Sequence, residues 1–227
     1  MNETQAREKI CQIGASLFSR GYVHATAGNI SYRLDDGFLI TPADASLGTL
    51  EPQQIARVDL NGQVLGSAKP SKTLTLHQHI YKSATQQDTN TRCIIHTHST
   101  YCVALTMQPI QVKGQLQWIE LLPPITPYFV MKVGHVPLMP YKRPGAPETA
   151  KQVAQAIADY ARAGAPIRAV MLSRLGPNVW GDTPESAMAT LEELEETAKL
   201  WHLSQPKPQG LHEQALKELR DVFGARW

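Results

Sequence analysis

Cys93-Ile94-Ile95-His96-Thr97-His98-Ser99 is the stretch on which the reading of this chain turns. Three apolar positions run straight into polar residues, which is how a buried strand looks as it leaves the core and a helix begins. On a strand, side chains two apart share a face, so His96 and His98 point the same way. Two imidazoles on one face at a strand end can grip one metal ion, and imidazole suits zinc, copper, iron or nickel. The alternative is structural, with one ring in the core and the other at the start of the next helix. Two ligands also fall short of the three protein ligands that a catalytic zinc usually takes.

Working outward, Ile10, Ile13, Leu17 and Phe18 recur at helical spacing and Gly21 ends that segment. Residues 30–34 and 38–40 flank Asp35-Asp36-Gly37, and 58–60 and 63–65 flank Asn61-Gly62; both read as β-hairpins. Ser71 is placed to cap a helix reaching about Ala84. Eight of the sixteen prolines lie between 109 and 147, where loops and irregular strands are expected. Helices follow over 149–163 and from Pro184 to about Leu203, the latter capped by Asp182 or Thr183, with strands at 170–172 and 178–181 between them. An amphipathic helix over 211–223 comes last. Strands and helices alternate without the rhythm of a parallel sheet, so the expected fold is α/β: a single three-layer α/β/α domain over 1–227 around a mostly antiparallel sheet.

Composition sets the function classes aside. The chain is 42% hydrophobic and 19% charged with a formal net charge of +2, and its Lys and Arg are scattered. Neither nucleic acid nor a membrane surface is indicated as a partner. No apolar run approaches the roughly 18 residues of a membrane span, and the N-terminal stretch is too polar for a signal peptide. Cys11, Cys93 and Cys102, an odd number without a CxxC pair, read as reduced thiols of a cytoplasmic protein.

Five ordered motifs raise the metal reading. Ala25-Thr26-Ala27-Gly28-Asn29-Ile30-Ser31, Ile40-Thr41-Pro42, Lys69-Pro70-Ser71-Lys72, Ile95-His96-Thr97-His98-Ser99 and Leu175-Gly176-Pro177 occur in the order seen in class II aldolases. The chain resembles that family, which also holds sugar-phosphate 4-epimerases and the non-enzymatic adducin head. The Pro-Ser-Lys triplet and residues 126–134 resemble the branch that decarboxylates or cleaves four-carbon 3-oxo sugar-acid phosphates. The resemblance implies a homotetramer, with zinc or another divalent metal at His96 and His98. It also implies ligand contacts at Gly28, Asn29, Ser71, Lys72 and Asp44, and a proton donor, Tyr128, reaching a neighbouring subunit's site.

The resemblance also exposes departures. The family's third metal-binding histidine falls on Leu175, which has nothing to donate. Its acid/base carboxylate falls on Thr73, whose hydroxyl is far too weak to shuttle protons near neutral pH. Its phosphate loop reads Thr41-Pro42-Ala43-Asp44, which puts a negative charge where a phosphate is expected. Two explanations fit: a natural member with lost or changed activity, or a redesigned pocket, which the apolar Leu175 and the charges of Asp44 and Arg174 suit. Asp44 is either a replacement metal ligand or a solvated turn residue, and Arg174 is a candidate partner for it. His135 stands where a basic residue near a ligand carboxylate is expected, or is a loop histidine. Glu120 is read chiefly as a surface residue, though able to close over the pocket, and His77 and His79 as packing residues.

Overall fold

A computed structural model describes residues 1–108 and 116–227; the part of the proline-rich stretch between them lies outside the described residues. Helix α1 (Glu3–Ser19) opens on a capping box between Asn2 and Gln5. Strands β1 (Asn29–Leu34) and β2 (Gly37–Ile40) form the first hairpin, and β3 (Ala56–Asp59) and β4 (Val64–Leu65) the second. The chain continues through α2 (Leu74–Ala84), β5 (Cys93–His96), α3 (Thr100–Leu105), a π-helical turn (Phe129–Val133) and β6 (Leu138–Met139). It ends with α4 (Pro147–Arg162), β7 (Ala169–Leu172), β8 (Gly176–Gly181), α5 (Pro184–Leu203) and α6 (Glu213–Phe223).

The eight strands form one sheet in the order β4-β3-β2-β1-β5-β8-β7-β6, and among them only the β6–β7 pair is parallel. Short hairpins connect neighbours on one side, and longer crossovers carry helices onto both faces. Alternation along the strands divides the core in two. Ile30, Ile95, Met171 and Val179 face α1, α3 and α5, whereas Ile94, Val170, Leu172 and Trp180 face α2 and α4. The expected three-layer architecture with a mostly antiparallel sheet is therefore what the chain adopts.

Two details depart from expectation. Ser71 does not cap α2; Thr73 occupies that position without a side-chain cap bond, and Ser71 instead turns the chain, accepting at its carbonyl from Leu74 N–H at 3.1 Å. Strand β5 ends at His96, so His98 sits just beyond the ladder rather than within it. The reason is local. Thr97 N–H still bonds to the Pro177 carbonyl at 3.3 Å, but the chain then turns into α3.

Glycine permits the closest backbone approaches at the end of β5. A Cβ on Gly176 would lie 1.9 Å from the Thr97 carbonyl oxygen, and one on Gly28 would lie 2.9 Å from that of His96. Both residues have positive φ, +137° and +83°. Gly176→Ala is therefore expected to destabilise the fold by more than about 3 kcal/mol, combining backbone strain with a steric overlap. Denaturant unfolding of the variant against the wild type measures this.

Candidate active site

The end of β5, the 26–29 turn, the 42–44 and 71–76 segments and the start of α4 enclose a cavity of about 280 Å³. Gly28, Asn29, Asp44, Ser71, Lys72, Thr73, His96 and His98 all line it, as does Leu175. Of the metal-binding, ligand-contact and proton-transfer positions that the resemblance implied, Tyr128 alone is not among them; it is 60% exposed elsewhere on the surface.

The backbone assembles these groups from distant segments. Strand β1 pairs antiparallel with β5, setting Asn29 opposite His96, and β8 sets Asn178 opposite His96 on the other side. The 41–43 and 69–71 segments are stitched together: Ala43 N–H donates to the Lys69 carbonyl at 3.0 Å and Ser71 N–H to that of Thr41 at 3.1 Å. Thr41 is in turn tied to Ile30, accepting its N–H through Oγ1 at 3.2 Å. The amino end of α2 thus stands at the cavity, where its dipole favours an anion.

His96 is buried, and its Nδ1–H donates to the Pro177 carbonyl at 2.9 Å. That bond fixes the tautomer and leaves the Nε2 lone pair unprotonated. Burial, reinforced by the nearby His98, pushes the His96 pKa down to about 4, so the ring is neutral near pH 7. His98 is lowered by burial and by His24 beside it. The His96 and His98 ring centres lie 5.1 Å apart. Two imidazoles bound to one zinc at about 2.0–2.1 Å each put their ring centres roughly 5 Å apart. The pair therefore fits two corners of a metal's coordination sphere. Among the described residues, no group of three His, Cys, Asp or Glu side chains is arranged to hold a metal.

Other expectations are corrected. Asp44 approaches Lys72 at 3.8 Å, both side chains being largely exposed, and Arg174 makes no ion pair with it among the described residues. Asp44 adopts a left-handed conformation at φ 59°, which suits a turn aspartate. Glu120 is not a surface residue. It is 3% exposed, accepts from His135 Nδ1 at 3.0 Å and from Val136 N–H at 3.0 Å, and is also bonded by the Tyr160 hydroxyl. His135, stacked on Trp227 at 4.2 Å, is committed to that cluster and does not line the cavity, so it is no ligand-facing base there. His77 is buried and His79 only half-buried, the different faces that their spacing implied.

Some lining residues were not anticipated. Arg143, from the Lys142-Arg143-Pro144-Gly145 turn, and Thr149, from the first turns of α4, close one wall. A basic pair before Pro-Gly was the available signal, but nothing local tells which surface such a turn faces. Asn29 presents a buried side-chain oxygen with no partner among the described residues. An unpaired buried polar atom in a cavity wall is costly in isolation, and a bound ligand relieves it.

Comparison with known proteins agrees with this architecture. Residues 8–202 match the family described as Class II Aldolase and Adducin N-terminal domain, and the chain belongs to that family. A 3-oxo-tetronate 4-phosphate decarboxylase of Cupriavidus necator is 49% identical over 230 residues, 99% of each chain. A decarboxylase of the same name from Escherichia coli K12 is 38% identical over 91% of this chain and 90% of its own length. Among solved structures, YgbL of Escherichia coli superposes with a TM-score of 0.82 at 35% identity, covering 96% of this chain and 99% of that one.

The buried histidines make stability pH-dependent in the metal-free chain. Burial, and then the nearby His96, lowers the His77 pKa to about 3, against 6.5 unfolded. The folded-state values of His77 and His96 are depressed, so their contribution is complete above about pH 6.5. It is lost as pH falls toward the folded values, because the unfolded chain binds protons that the native one refuses. Unfolding free energy is expected to fall between pH 6.5 and about 4 by roughly 1.4 kcal/mol per pH unit for each such group. Denaturant unfolding at a series of pH values checks this, and His77→Gln is expected to flatten the slope.

Proposed function

We propose that this chain binds a small sugar acid or its phosphate in the cavity at the end of β5, as a lyase-impaired member of the decarboxylase branch of its family. The observation that carries this reading is the make-up of the cavity wall. Thr73 and Leu175 face it beside His96 and His98, and Asp44 is the sole carboxylate lining it among the described residues.

The binding groups suit an acidic, hydroxylated ligand. Lys72 and Arg143 bring cations, Ser71, Thr73 and Thr149 bring hydroxyls, and Asn29 brings an unpaired carbonyl oxygen. Asp44 is partly offset by Lys72, so its repulsion of a phosphate is weaker than its charge alone suggests. As the relatives' name implies, the substrate class is a 3-oxo acid. Breaking its carboxyl–carbon bond releases carbon dioxide and leaves an electron pair on the ketone oxygen, and a proton must then be supplied.

His96 and His98 would supply two ligands to a divalent metal, zinc being the expected one, and such a metal polarises a carbonyl oxygen. Ser71 Oγ lies 3.0 Å from Thr73 Oγ1. This hydroxyl pair can orient a ligand but offers no group that gains and loses a proton near neutral pH. Lyase turnover is therefore slow for want of a proton donor. Tyr128, exposed and away from its own chain's cavity, is read as reaching a neighbour's cavity in a homotetramer.

Thr73→Glu/Leu175→His restores both missing groups. It is expected to raise decarboxylation of a 3-oxo-tetronate 4-phosphate by about a hundredfold or more over the wild type, the scale that a positioned acid/base contributes. Steady-state carbon dioxide release measures it. A wild type that already turns over as fast as the double variant would sink the proposal.

A further inference from the structure

The two-histidine arrangement leaves a donor lacking, and a third imidazole stands next to it. His24 lies in the turn before Gly28, and its ring centre is 6.4 Å from that of His98, edge to face at 77°. The turn is pinned by Ala27 N–H donating to the His24 carbonyl at 2.9 Å, and Ala25 is held at a positive φ of 47°. The backbone therefore fixes which way His24 leaves the chain. Its side chain is exposed and makes no hydrogen bond or ion pair among the described residues. Thr26 and Ala27, from the same turn, line the cavity that His96 and His98 face.

We infer that His24 is the third imidazole of a divalent-metal site with His96 and His98, brought in by rotation of its own side chain when the metal binds. This rests on the reading of His96 and His98 as two metal ligands. As the rings stand, the three do not converge on one point. The His96 and His98 ring centres, 5.1 Å apart, are at a separation compatible with one shared ion, and the His24 ring centre is 6.4 Å from that of His98. Rotation about the two side-chain torsions of an exposed, unbonded histidine breaks no contact that holds the fold. Such a set of three imidazoles would match the protein ligands of an open catalytic zinc site. It supplies the donor that Leu175 cannot.

The test is metal uptake, independent of turnover. Metal-free protein is titrated with Co²⁺, whose visible absorption reports the donor set, and Zn²⁺ affinity follows by competition. His24→Ala is expected to weaken binding more than about tenfold, the lower end of what even an outer partner of a metal ligand contributes. His79→Ala, at a half-buried histidine on α2 that does not line the cavity, is the control and is expected to bind as the wild type does. If His24→Ala binds as tightly as the wild type, the inference about His24 is overturned and the two-ligand reading stands. The same holds if the wild type takes up no Co²⁺ while Leu175→His does. If neither the wild type nor Leu175→His takes up Co²⁺, both fall.

Discussion

The hydrogen bond from His96 Nδ1 to the Pro177 carbonyl, 2.9 Å long, is the interaction on which the arrangement of the site depends. It needs β8 to run unusually close to the end of β5, and Gly176 permits this by having no Cβ to strike the Thr97 carbonyl. The Pro177 carbonyl oxygen has two lone pairs and accepts from both the imidazole and Thr97 N–H. The consequence is a buried imidazole with one nitrogen committed to the backbone and the other left with a lone pair. Without that bond the ring has no fixed tautomer, and the cavity has no defined donor at its floor.

The same face of the sheet carries further buried polar side chains. Ser31 Oγ stands 2.7 Å from His77 Nδ1 and 2.9 Å from the Tyr81 hydroxyl, which donates to the Arg92 carbonyl at 3.1 Å. Asn178, opposite His96 in the ladder, has neither side-chain atom bonded among the described residues. Polar groups in so dry a setting weaken the core and narrow the protonation states available to it. The depressed pKa values of His77 and His96 are the electrostatic record of that setting.

A second polar cluster shows how differently the same residue types behave away from the cavity. Glu120, His135 and Tyr160 saturate one another beneath Trp227, so a carboxylate beside a histidine here serves to tie the proline-rich segment to α4. Glu120 also pairs with Pro137 as an isolated bridge at the sheet edge. Each of these groups spends its hydrogen-bonding capacity on a neighbour, with only His135 Nε2 left over. The cavity differs in leaving several polar atoms facing open space.

Much of the fold was legible along the chain, because hairpin turns, helix caps and strand alternation are local properties. The Asn61-Gly62 hairpin, the Thr183 cap and the Cys93–His96 strand are each specified within a few residues. The two-histidine motif and the ordered Gly28, Ser71 and Gly176 segments were enough to name the family and most of the cavity lining. What the chain order left undecided was direction and partnership. Glu120 and Arg143 lie in one irregular segment, yet one turns into the core and the other onto the cavity, and no local period separates them. Asp44 pairs with Lys72 rather than Arg174, and His24 comes to stand beside His98 although 74 positions separate them. Those outcomes are set when the hairpin, β5 and β8 pack side by side, because only the assembled sheet fixes which loops share one end of it.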